Sequence, residues 1–92
     1  MANRATFLAK RIVSRLQSLE SLQGARSSGI PGMNAKLRTE MVAKVLAVEE
    51  GIVDEFTIQK VIMALPNVSS RADVSPREMA EFAEFLRMNL KL

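Results

Sequence analysis

Glu49, Glu50, Asp54 and Glu55 crowd four carboxylates into the stretch "EEGIVDE". Carboxylates at this density can hold a hard cation or, where burial splits their pKa values, act as general acid and base. The spacing does not suit a calcium loop, because Ile52 and Val53 stand where oxygen ligands would have to alternate. The rest of the chain offers little support for either chemistry. It contains no Cys and no His, which removes thiolate nucleophiles, imidazole metal ligands and the usual near-neutral proton shuttle. "GIPG", from Gly29 to Gly32, lacks the following Lys-Ser/Thr and the preceding strand of a phosphate loop. The expectation is a non-enzyme with no cofactor, no metal and no small-molecule substrate. The four acids read as solvated charges at a helix start, where they favour the helix dipole.

Charge is unevenly spread. From Met1 to Val48 eight basic residues (Arg4, Lys10, Arg11, Arg15, Arg26, Lys36, Arg38, Lys44) face two acids, Glu20 and Glu40. From Glu49 onward five basic residues meet eight acids. A nucleic acid would favour the first half and be repelled by the second, whereas another copy placed head to tail would suit both. No apolar run approaches the roughly 18 residues of a membrane span. The expected location is intracellular and soluble, with the cytoplasm favoured.

These side chains must be positioned by helices, since no strand pattern stands out. Ninety-two residues make one small core, and four helical segments are predicted: an all-α, small bundle. The first runs from about Asn3 to Leu22, with Ala5, Leu8, Ala9, Ile12, Leu16 and Leu19 on one stripe. "GARSSGIPGMN", Gly24 to Asn34, reads as a flexible Gly/Ser/Pro linker, able to let the first helix dock in cis or in trans. Asn34 is the expected N-cap of a second helix, 35–50, closed by Gly51. Its apolar residues take two sides, Leu37, Met41, Val45 and Val48 opposite Val42 and Leu46, which reads as a central helix packed between neighbours, with a partner-binding groove as the second reading. Asp54 caps a third helix, 55–65, ended by Pro66, with Ile58, Val61, Ile62 and Leu65 inward. In "VSPRE" Ser75 and Glu78 form a capping box around Pro76, and Val74 with Met79 a hydrophobic staple. The fourth helix follows to about Leu90. The domain plan is therefore a basic amphipathic helix over 1–23, a linker over 24–34 and a three-helix core over 35–92. Met33, Met41, Met63, Met79 and Met88 read first as gap-fillers of that core; the second reading leaves Met63 and Met88 exposed and, with Phe56 and Phe85, makes them a sticky surface.

"LAVEEGI" and "TIQKVI", within Leu46 to Ile62, resemble the helix-turn-helix signature. Ala47 would permit close helix approach and Gly51 a positive-φ turn. The resemblance implies a small DNA-binding regulator using Ala47, Gly51, Thr57, Gln59 and Lys60. The spacing from Gly51 to Ile58 is seven, one longer than the pattern, and the would-be reading helix opens on Asp54 and Glu55. Four carboxylates at that corner would repel phosphate, which sets this reading second.

The first helix supplies the alternative. Arg4, Arg11 and Arg15 fall within about 40° of one another on a helical wheel, with Phe7 beside them. They form a candidate contact surface in which Phe7 is an apolar anchor and guanidinium groups grip carboxylates. An Arg- and Ser-rich start with no acid before Glu20 also has the character of a mitochondrial targeting segment or a membrane-surface helix. The expected function is a non-catalytic helical interaction or assembly module. It would bind a protein partner or another copy of itself, through the Arg4/Phe7/Arg11/Arg15 flank against Glu78, Glu81 and Glu84.

Overall fold

The computed structural model describes residues 3–24, 33–66, 68 and 74–92, and the side chains of these except 20–24, 33 and 34. They form four helices: α1 (Arg4–Gly24), α2 (Met33–Glu50), α3 (Glu55–Met63) and α4 (Pro76–Leu90). This is the expected all-α bundle. Of the predicted linker, Gly24 is the last residue of α1, Met33 and Asn34 belong to α2, and 25–32 lie outside the described residues. Asn34 is therefore inside α2 and not its cap.

Three of the helix starts have a local cause. The Asn3 side-chain oxygen accepts from the amides of Ala5 at 3.0 Å and Thr6 at 3.3 Å, satisfying donors that α1 leaves unpaired. Asp54 does the same for α3, accepting from the Thr57 amide at 2.9 Å. At α4, Ser75 Oγ accepts from the Glu78 amide and donates to the Glu78 carboxylate, both at 3.1 Å, with Pro76 at the first helical position. The expected box is present in a side-chain-to-side-chain form, and Val74 and Met79 are half-buried against the core as a staple requires. Helix α3 is shorter than predicted. Regular helix stops at Met63 and the Leu65 amide donates back to Ile62 O at 3.2 Å, a tightened last turn just ahead of Pro66.

One buried cluster joins all four helices. From α1 it takes Ala5, Leu8, Ala9, Ile12, Val13 and Leu16, from α2 Val42, Val45 and Leu46, from α3 Ile58 and Val61, and from α4 Phe82, Ala83 and Leu86. The most extensive packing is between α1 and α4, followed by α1 on α2 and α2 on α3. The first helix thus docks on its own chain. Alanines at 5 and 9 on its inner stripe let a neighbouring helix approach closely, and α4 packs on it more than any other element. Val68 lies in the segment between α3 and α4, yet it is buried, and its carbonyl accepts from Arg38 Nη2 at 3.3 Å.

Helix α2 departs from its predicted stripe. Val42, Val45 and Leu46 are inward, Met41 is half-buried and Val48 is 73% exposed. The wheel places Val48 with Met41 and Val45, but in the last turn of α2 it faces solvent. No helix among the described residues is long and apolar enough to cross a membrane.

Candidate interaction site

The four-carboxylate corner resolves into two pairs with different work. Glu49 and Glu50 lie in the last turn of α2, the negative end of its dipole, where the helix supplies no basic residue of its own. Helix α1 supplies them. Arg4 Nε donates to Glu50 Oε1 at 2.5 Å, Arg4 Nη2 donates to the Glu49 carbonyl at 2.6 Å, and Arg11 Nε meets Glu49 Oε1 at 2.8 Å. Arg4 thereby caps a carbonyl that α2 leaves without an intrahelical partner. Gly51, at φ +67°, then turns the chain so that the Ile52 amide donates to Leu46 O at 3.1 Å. Asp54 and Glu55 open α3 instead. Asp54 accepts from both the amide and the hydroxyl of Thr57, which holds its carboxyl below the usual value. Among the described residues no group of acids is arranged to hold a metal ion.

The basic flank of α1 is divided by these contacts. Arg4 and Arg11 are engaged by Glu49 and Glu50, and the Arg4 guanidinium also lies 5.3 Å from the centroid of the Phe7 ring. Phe7 stays 45% exposed. Arg11 and Arg15 continue along α1 into a groove of about 220 Å³ shared with α2, whose lining is completed by Met41, Lys44, Val45, Val48 and Glu49. Met41, Lys44, Val45 and Val48 follow three- and four-residue steps, so one face of α2 meets one face of α1 across this groove. Lys44 was not singled out from sequence as a contact residue. Its signal was present in the four-residue step to Val48, once Val48 is known to face out.

The carboxylates of α4 are also largely engaged. Arg77 Nε donates to Glu81 at 3.2 Å, and Arg87 grips Glu84 with two bonds at 3.0 and 2.5 Å. The Arg87 fork lowers the Glu84 pKa, and the carboxylate raises that of Arg87. Glu78 serves the Ser75 cap. The structure therefore gives most charges of the proposed α1 and α4 surfaces partners inside the chain.

The positions suggested by the helix-turn-helix resemblance occupy the α2–α3 corner. Ala47 is half-buried, Gly51 makes the turn, and Thr57 is tied to Asp54. Gln59 is exposed, and Lys60 Nζ sits 4.6 Å from the centroid of the Phe56 ring. The outer face of α3 is otherwise apolar. Phe56 is 69% and Met63 85% exposed, seven residues apart, with Val53 also exposed one turn earlier. Met63 and Met88, predicted as core gap-fillers, are both on the surface, while Met41 and Met79 do pack against the core.

No family model matches the chain, and no curated protein or solved structure matches it.

Proposed function

We propose that this protein is a non-catalytic helical interaction module that self-associates. The observation that carries the reading is the outer face of α3, where Phe56 and Met63 stand exposed two turns apart on a helix whose opposite face is in the core. Single exposed apolar residues are ordinary, but an aligned pair with Val53 beside it is a contact stripe. Two copies of α3 laid antiparallel would set Phe56 of each against Met63 of the other, with Gln59 beside Lys60 at the centre, as a two-fold interface requires. The ionic contact expected between α1 and α4 of two copies competes with partners inside each chain, so the apolar face is the stronger driver and charge a modulator.

The stripe is small beside a standard interface of about 1,600 Å². Association is accordingly weak, with a Kd on the order of micromolar to millimolar. Sedimentation equilibrium over that concentration range is expected to show a monomer–dimer equilibrium that Phe56→Glu with Met63→Glu abolishes, while circular dichroism stays unchanged. A wild-type monomer throughout would end the reading. The DNA-binding alternative has one point in its favour: Arg4 and Arg11 compensate Glu49 and Glu50, two of the four acids counted against it. A gel-shift titration with random duplex at low salt distinguishes it, since only that reading gives binding lost on Gln59→Ala with Lys60→Ala.

A further inference from the structure

We infer that the α1–α2 groove is a docking site for an acidic amphipathic helix of a different protein. This rests on the chain being an interaction module, not on the pairing of α3. The groove has the two elements such a ligand needs. Its apolar part is Met41, Val45 and Val48, of which Val48 is 73% exposed. Its rim is cationic, with Arg11 and Arg15 from α1 and Lys44 from α2. Arg11 is shared with Glu49, but Arg15 and Lys44 make no ion pair among the described residues. Two cations flanking an exposed valine fit a helix that carries carboxylates on either side of an apolar stripe.

Charge complementarity also chooses between occupants. A phosphate backbone would leave the apolar lining at Met41 and Val48 uncovered, so a polypeptide fits better than a nucleic acid. A second copy fits less well, because its exposed helix α4 carries Arg77 and Arg87 bound to its own Glu81 and Glu84 and is not a uniformly acidic ligand. The occupant is a helix with free carboxylates at three- and four-residue spacing beside Leu, Ile or Phe anchors.

The test is selection of a displayed library of random peptides of about 16 residues, long enough for four helical turns, on the intact protein. Binders are then rescreened on an Arg15→Glu with Lys44→Glu variant and on Val48→Glu. The expected result is enrichment of acidic amphipathic peptides whose affinity falls at least about tenfold on either variant and weakens with salt. Arg77→Glu, remote on α4, is expected to change nothing, and circular dichroism checks that each variant is folded. Enrichment of neutral or basic peptides, no enrichment, binding that persists on both groove variants, or displacement of the peptides by duplex DNA would each overturn the assignment. Loss of dimerisation through Phe56→Glu with Met63→Glu should leave peptide binding intact, which keeps failure of the α3 interface separate from failure of the groove.

Discussion

The α1–α2 seam and the outer face of α3 are built from different kinds of side chain and end in opposite states. At the seam, long charged residues close on each other: Arg4 and Arg11 reach Glu49 and Glu50 and cap the end of α2. On α3, Phe56 and Met63 remain in solvent, with only Lys60 laid over the Phe56 ring. The difference shows that uneven charge along a chain need not become uneven charge on the molecule. Folding brought the basic start of the sequence against its first acidic cluster and left apolar surface as the larger unmet demand. On the proposed reading, the recognition surfaces are the places left without a partner among the described residues, namely the outer face of α3 and the Arg15/Lys44 side of the groove.

The comparison can be broken most forcefully at the core beneath the seam. Ile12 and Leu46 are fully buried, so Ile12→Ala or Leu46→Ala is expected to cost about 2–5 kcal/mol and could unfold so small a domain. Phe56→Ser, by contrast, should lie within about 0.5 kcal/mol of the wild type by urea denaturation. Equal losses at Ile12 and Phe56 would show that α3's outer face is structural. Gly51 links the two regions with φ +67°, and an added Cβ would meet nothing within 4 Å. The cost of Gly51→Ala is therefore conformational alone, about 1–2 kcal/mol, read as a Tm drop of roughly 4–8 °C per kcal/mol.

Smaller effects sharpen the same contrast. Ser75→Ala removes the α4 cap and should cost about 1 kcal/mol without changing either surface. A double-mutant cycle on Arg11→Ala and Glu49→Gln should return about 0.2–1 kcal/mol, because Arg11 is 40% exposed. A coupling near zero would mean the seam ions are free to bind elsewhere. The weakest handle is pH. The Asp54 carboxyl is held below its ordinary value by Thr57, so its contribution is present above the unfolded pKa and is lost as pH falls through the lower folded one. The protection of the Thr57 amide, taken relative to its intrinsic exchange rate at each pH, is expected to fall over that acidic interval, and Asp54→Asn should flatten the dependence.

Much of this was legible in the chain because local rules govern it. Asp54, Ser75 and Pro76 act within a single turn, and the α1 stripe from Ala5 to Leu16 repeats at helical spacing, so caps and inward faces could be read directly. Val13 at the edge of that stripe, which is buried, and Val48, which faces out, could not, since each depends on how neighbouring helices pack.

By itself the sequence determined four helices, most of their start points and the apolar side of α1, α3 and α4, because hydrogen bonds and side-chain periodicity inside a helix span no more than a few residues. Only the tertiary structure decided that Arg4 and Arg11 meet Glu49 and Glu50, and that Arg15 and Lys44 share a groove. The ion pairs join residues 38 to 46 positions apart. Coulomb attraction has no memory of sequence distance, so which charges find one another is settled when the helices pack.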